Sequence, residues 1–127
     1  MTLTEDEYPY KDLTREIIGA AMEVHRILGC GFLESVYEEA FTVELRLQNI
    51  EFERQKPIDV FYKGIKVKQF VCDFLVAGSV LVELKAIKEL TRIETAQVLN
   101  YLKSMNLKLG ILLNFGGSSL QYKRIIN

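Results

Sequence analysis

The sequence has little histidine and little cysteine. It contains one histidine and two cysteines in 127 residues. Cys30 and Cys72 form neither a C-x-x-C pair nor a zinc-ligand spacing, so we expect free thiols in a reducing compartment. A lone histidine beside an apolar helix face is more often a hydrogen-bonded structural residue than a catalyst, and we expect the structural role for His25.

Long apolar runs and a strong charge of either sign are also missing. No apolar stretch approaches the length of a membrane span, and the N-terminal segment MTLTEDEYPYKD is acidic, unlike a secretion signal. We therefore expect a soluble, cytoplasmic protein without a membrane partner. The net charge of −1 does not suit a protein that coats nucleic acid by charge alone, but a local basic patch could still bind a short stretch.

Apolar residues make up 49% of the chain, and their patterns predict a mixed α/β (α+β) fold. Residues 1–11 are predicted to be a flexible tail, and residues 12–127 a single domain. Helical spacing predicts two N-terminal helices, at about 12–28 and 33–48, and a capping box formed by Thr91 and Glu94 predicts a third that ends near Ser104. Strands are predicted at 51–55, 58–62, 65–76, 80–86, 108–115 and 120–126. The order strand, helix, strand around the third helix predicts a crossover and parallel pairing between 108–115 and a strand of the central hairpin.

The central hairpin, residues 66–86, carries three charges within two apolar strands: Asp73, Glu83 and Lys85. A buried unpaired charge costs several kcal/mol or more, so these charges need one another, a metal ion or water. Strict alternation along residues 65–76 predicts that Cys72 and Phe74 share one face and Asp73 lies on the other.

The length of the hairpin turn decides how these charges meet. A three-residue turn, 77–79, places Asp73 opposite Glu83, with Lys85 on the same face. A two-residue turn, Gly78-Ser79, would place Asp73 opposite Leu84 instead. We expect the three-residue turn because it gathers all three charges on one side.

Opposed carboxylates suit a divalent cation. Asp73 and Glu83 offer the hard oxygen ligands that Mg²⁺ and Mn²⁺ prefer, and the carbonyl of Leu84 could add a further ligand. Lys85 could orient an attacking water or neutralise a transition state, as phosphodiester hydrolysis requires. From the residues alone, a metal site and a structural ion network account for these charges equally well.

Several segments, in order, resemble one family: EVHRILG, GFLESVY, VELKA, ETAQVLNYLK and LLNFG. GFLESVY matches the G-x-x-E-x-x-Y signature of the GxxExxY proteins, a group of small bacterial and archaeal proteins placed in the PD-(D/E)xK nuclease-like superfamily. The resemblance implies a restriction-endonuclease-like core. It also implies a metal-dependent nuclease that uses Mg²⁺ or Mn²⁺ and acts on nucleic acid, with DNA favoured over RNA.

The resemblance also implies site residues. It makes Asp73 the acidic residue of the superfamily and Glu83 and Lys85 its E-x-K pair, all three catalytic. It brings Glu34 to the metal and Gln97 to the catalytic site. Two alternatives stay open: a non-catalytic nucleic-acid or protein interaction module that retains the fold, and a small phosphoester hydrolase. A homo-oligomer is compatible with all three interpretations.

Overall fold

The computed structural model describes residues 10–127, which form a five-stranded mixed sheet with helices on both faces. The elements are α1 (Lys11–Leu28), α2 (Glu34–Leu47), β1 (Phe52–Tyr62), β2 (Ile65–Val76), β3 (Val80–Lys85), α3 (Arg92–Met105), β4 (Leu109–Asn114) and β5 (Gln121–Ile126). The predicted mixed α/β class is confirmed. Residues 1–9 of the predicted tail lie outside the described residues, and α1 already begins at Lys11.

The strands lie in the order β1-β2-β3-β4-β5. The pairing between β3 and β4 is parallel, and the other three pairings are antiparallel. The predicted parallel pairing is therefore confirmed, with α3 as the connection between β3 and β4. All six residues of β4 are buried, because this strand lies inside the sheet and is covered on both faces.

One predicted break in the sheet is wrong. The segments 51–55 and 58–62 form one continuous strand, β1, which runs through Pro57. Proline cannot donate to a neighbouring strand, but β1 lies at the edge of the sheet that residues 10–127 form, so proline is tolerated there. The register of β1 against β2 shifts between Val60 and Phe61. Separately, Gln55 has a φ of 51°, which is unusual for a residue other than glycine.

The three-residue turn of the central hairpin is confirmed, because Val76 pairs with Val80 and Phe74 with Val82. The predicted alternation along β2 is wrong. Phe74 packs on the α1 and α2 side of the sheet, whereas Cys72 packs on the α3 side. The side chains of β2 therefore change faces at Asp73, next to the positive φ of Gln55 on β1. The sequence pattern cannot reveal this change of faces, because the residues on either side of Asp73 are apolar in both arrangements.

Two apolar layers hold the helices to the sheet. On one face, α1 and α2 pack on β2, β3 and β4, with Tyr37 and Phe41 fully buried. On the other face, α3 packs through Val98 and Leu102. A Cβ at Gly110 would lie 2.6 Å from Cγ1 of Val98, so glycine at this position of β4 lets α3 approach the sheet closely.

In the described part of the chain, no helix combines the length and apolarity needed to cross a bilayer.

Candidate metal and catalytic site

Three carboxylates meet where α2 passes over β2. Carboxylate oxygens of Glu34, Glu38 and Asp73 all lie within 4.8 Å of one another. Glu34 and Glu38 are one helical turn apart and so lie on the same side of α2. Such a spacing of hard oxygen atoms is short enough for one divalent cation to contact all three side chains.

Asp73 and Glu83 are joined through the backbone of their strands. The amide of Asp73 donates to Oε1 of Glu83 at 3.1 Å, and Oδ2 of Asp73 accepts the amide of Leu84 at 2.8 Å. These side-chain contacts follow the last backbone pair between the strands, Phe74 with Val82. They therefore continue the connection between β2 and β3 beyond the point where the regular ladder ends.

Glu83 is 4% exposed, and its surroundings favour the neutral acid. Burial is the largest cause, followed by the charge of Asp73, and together they raise the pKa of Glu83 to about 9. Ionising this carboxyl group is unfavourable in the protein without a cation. A nearby cation would stabilise the carboxylate form strongly.

The two glutamates of α2 show the same tendency. Partial burial and the charge of Asp73 raise the pKa of Glu34 and of Glu38 above the usual range. Lys85 opposes this shift at Glu34, and Arg54 opposes it at Glu38. The mutual repulsion of these carboxylates is the electrostatic feature expected of a cation site.

Leu84 is oriented towards the same point. In a strand, the N–H and C=O of one residue point to the same neighbouring strand, so the carbonyl of Leu84 faces β2, as its amide does. The carbonyl of Lys85 instead accepts the amide of Phe115 at 2.8 Å on the β4 side. The carbonyl of Leu84 is thus directed towards β2, the strand that carries Asp73, and that of Lys85 towards β4.

Lys85 is held by α3. Its Nζ donates to Oε1 of Gln97 at 3.3 Å. Tyr101 lies one turn after Gln97 on α3, and its ring packs against Phe70 at 5.5 Å between centroids. The capping box at Thr91 fixes the start of α3, so the position of Gln97 follows from where this helix begins.

The start of α2 is fixed by Tyr37. Its hydroxyl donates to the carbonyl of Gly29 at 2.6 Å and accepts the amide of Phe32 at 3.3 Å. These two bonds hold the connection from α1 and thereby position Glu34, the first residue of the helix.

His25 lies in the same region, where its Nε2 contacts the carbonyl of Gly117 at 2.9 Å, in agreement with the structural role expected for it.

The structure brings Glu34, Asp73, Glu83, Lys85 and Gln97 into one region between α2, the hairpin and α3, but Glu83 is not one of the three carboxylates that lie within 4.8 Å of one another. Two residues near this region were not predicted. Glu38 completes the three-carboxylate cluster. Asn114, fully buried beside Lys85, holds the chain just beyond β3 by bonding both the amide and the carbonyl of Ile87 at 3.0 Å. For Glu38, the only signal in the sequence was its spacing of four residues from Glu34.

The sequence of the chain matches one known protein family. The family description for the PD-(D/E)XK nuclease superfamily matches residues 11–125. The chain belongs to this superfamily. A search of curated protein sequences found no significant match.

The fold of this PD-(D/E)XK protein also resembles solved structures. The crystal structure of SSO0001 matches with a TM-score of 0.61 and 17% identity, covering 97% of this chain and 59% of that one. The chain thus spans about three-fifths of the length of SSO0001. An alkaline exonuclease, LHK-Exo from Laribacter hongkongensis, matches with a TM-score of 0.48 and 14% identity, covering 100% of this chain and 72% of the exonuclease. The likeness to SSO0001 shows a common fold.

The donor set of this PD-(D/E)XK protein fits a divalent cation. Each of the clustered side chains offers a carboxylate oxygen, and neither histidine nor thiolate takes part in the cluster. An all-oxygen set suits Mg²⁺ or Mn²⁺ better than zinc.

Proposed function

We propose that the protein is a metal-dependent nuclease that hydrolyses phosphodiester bonds, with DNA as the favoured substrate. The observation that carries this proposal is the cluster of Glu34, Glu38 and Asp73 oxygens within 4.8 Å. Membership of the PD-(D/E)XK superfamily supports it. Gly31, Glu34 and Tyr37 further support assignment to the GxxExxY group, and we expect one cytoplasmic domain over residues 12–127.

In this proposal, Asp73, Glu34 and Glu38 would hold Mg²⁺ or Mn²⁺ with the carbonyl of Leu84, and Glu83 in its carboxylate form would be a further ligand. The bound cation would polarise the phosphate and lower the pKa of a bound water. A cation at this point would favour the carboxylate form of Glu83, whose Oε1 accepts the amide of Asp73.

Lys85 acts on the reacting phosphate. Its ammonium group donates hydrogen bonds to the phosphate oxygens and stabilises the negative charge that develops as water attacks. Gln97 is a positioning residue, because it accepts from Nζ of Lys85 and limits where the ammonium group can point.

The test is a cleavage assay with purified protein. Single-stranded, duplex and branched DNA, and RNA, are incubated with Mg²⁺, with Mn²⁺ or with EDTA. Wild-type protein is expected to cleave at least one of these substrates only when a divalent ion is present, and Asp73→Asn is expected to abolish cleavage. Wild-type protein that binds nucleic acid but never cleaves it would support the non-catalytic module instead. Cleavage of small phosphoesters alone would support the phosphoester hydrolase.

A further inference from the structure

An open groove of about 640 Å³ lies between the hairpin of β1 and β2 and the helix α3. We call it the hairpin groove. The residues that matter for its chemistry are Val60, Phe70, Ile93, Gln97, Tyr101 and Lys103. Its volume is within the range of small-ligand sites, about 300–1,000 Å³, so it is large enough for a planar ring.

The groove exposes apolar surface that the described chain does not cover. Phe70 is 39% exposed, although its ring contacts that of Tyr101. Ile93, on the first turn of α3, is 78% exposed. An aromatic and an aliphatic side chain presented together on an open surface form the kind of platform on which a nucleobase stacks.

The groove is continuous with the candidate catalytic site. Gln97 contributes to its lining and also accepts from Nζ of Lys85 at 3.3 Å. Tyr101, on the next turn of α3, lies close enough to Glu83 and Asp73 for their charges to raise the pKa of its hydroxyl, after burial as the main cause. A ligand in the groove is therefore separated from Lys85 by one side chain.

The groove also has cationic sides. Lys103 contributes to its lining, and Lys68 lies two residues before Phe70 on the same side of β2, opposite Val60. Neither lysine forms an ion pair within residues 10–127, whereas Lys66 pairs with Asp59 and Lys56 with Glu53. Apolar rings flanked by unpaired ammonium groups match the bases and phosphates of one nucleic-acid strand.

We infer that the hairpin groove binds unpaired bases of the strand that is cleaved, so that the substrate is single-stranded nucleic acid and not continuous duplex. Bases inside a duplex are stacked on one another and cannot present their faces to Phe70 and Ile93. This inference rests on the proposed function in one respect, namely that nucleic acid is the ligand of the adjoining site.

The experiment measures binding without turnover. A fluorescently labelled oligothymidylate of about 12 nucleotides, within the range of single-strand site sizes, is titrated with protein in EDTA. A blunt duplex of the same length is titrated in parallel, and fluorescence anisotropy reports the Kd. Phe70→Ala removes the ring, and Ile93→Glu adds a negative charge at an exposed helix position where the fold does not depend on the side chain. Val71→Ala is the matched control, because Val71 is 47% exposed and lies next to Phe70 on the opposite face of β2.

We expect wild-type protein to bind the single strand more tightly than the duplex. Loss of one base stack should raise the single-strand Kd about tenfold in Phe70→Ala, with a similar rise in Ile93→Glu and no change in Val71→Ala. Equal or tighter binding of duplex, no binding of either DNA, or equal Kd values for Ile93→Glu and wild type would overturn the inference. The binding titration is independent of the cleavage assay. A protein that binds the single strand as expected but cleaves no substrate in that assay would refute the proposed nuclease and leave the groove assignment standing.

Discussion

Asp73 and Glu83 are tied together by the backbone amide of Asp73, which donates to Oε1 of Glu83 at 3.1 Å. The carboxylate of Asp73 makes the complementary contact on β3 by accepting the amide of Leu84 at 2.8 Å. Each acidic side chain thus satisfies an amide of the opposite strand just where the regular ladder ends. The same two residues that would bind a cation therefore also hold the sheet together beside it.

Asp73 should contribute to stability through its acceptor oxygen. Asn retains an oxygen that can accept from the amide of Leu84, whereas Ala leaves that amide, on a fully buried residue, without its partner. We expect Asp73→Ala to be less stable than Asp73→Asn by about 1–3 kcal/mol in the free energy of unfolding. Urea unfolding in EDTA measures the difference. Both variants lose the same charge, so equal stability would show that the hydrogen bond contributes nothing.

Glu83 should make the metal-free protein less stable as the pH rises. Its pKa is about 9 in the folded protein and near 4.5 in an ordinary carboxyl group, so the folded state keeps a proton that the unfolded state has lost. Between these two values the free energy of unfolding falls with increasing pH, by at most about 1.4 kcal/mol per pH unit. Thermal unfolding in EDTA across this range should therefore show a decreasing Tm.

The variant Glu83→Gln isolates this effect. Glutamine resembles the neutral acid, since its oxygen can accept the amide of Asp73 and it does not ionise. We expect its Tm to depend less on pH and to exceed that of wild type at the alkaline end. A wild-type Tm that rises over the same range, or an unchanged pH dependence in Glu83→Gln, would contradict the assigned pKa.

Glu38 should bind the cation although the family signature does not include it. Its oxygen lies within 4.8 Å of those of Glu34 and Asp73. We expect Glu38→Gln to weaken Mn²⁺ binding at least about tenfold, as loss of one charged ligand or its support commonly does. Isothermal titration calorimetry measures the affinity. Glu44→Gln is the control, because Glu44 lies on the same helix, is not part of the cluster and accepts from Nε2 of Gln48 at 2.8 Å. Equal affinities for the two variants would exclude Glu38 as a ligand.

Gln97 should affect turnover without affecting metal binding. Removing its acceptor in Gln97→Ala frees Nζ of Lys85, and we expect kcat to fall about tenfold, in line with the loss of one hydrogen bond from a charged donor. Gln97→Glu keeps an oxygen for Lys85 and should recover part of this loss. Steady-state cleavage kinetics measure kcat, and calorimetry is expected to give an unchanged Kd for Mn²⁺. A change confined to that Kd would place Gln97 among the ligands instead.

The hairpin register was predictable because, of the two possible turn lengths, only the three-residue turn gathers the three charges of the hairpin on one side. Asp73, Glu83 and Lys85 could thus be placed near one another from their positions in the chain. The change of faces at Asp73 was not predictable, since it depends on the positive φ of Gln55, a residue type that gives no signal for it. The continuity of β1 through Pro57 was missed because proline is tolerated only on an edge strand, and local sequence does not indicate which strand lies at the edge.

Glu38 was missed for an electrostatic reason. Acidic residues near the start of a helix are expected from the helix dipole alone, so neither Glu34 nor Glu38 stands out by position. Glu34 was identified only through the family resemblance. Placing Glu38 beside Asp73 requires knowing how α2 packs on the sheet, and that follows from burial of Tyr37 and Phe41 on the adjacent strip of the helix.

Substitution of Lys85 tests directly whether this site hydrolyses phosphodiester bonds. Cleavage of labelled single-stranded and duplex DNA is measured in Mn²⁺ for wild type, Lys85→Met and the control Lys88→Met, with the Mn²⁺ affinity of each protein determined by calorimetry. We predict that Lys85→Met loses at least about a hundredfold in kcat, as removal of one transition-state donor commonly causes, and binds Mn²⁺ no more weakly than wild type. Lys88→Met should cleave like wild type. Cleavage by Lys85→Met at the wild-type rate would contradict the role of Lys85 at the reacting phosphate. No cleavage by wild type with Mn²⁺ bound would contradict the proposed nuclease activity.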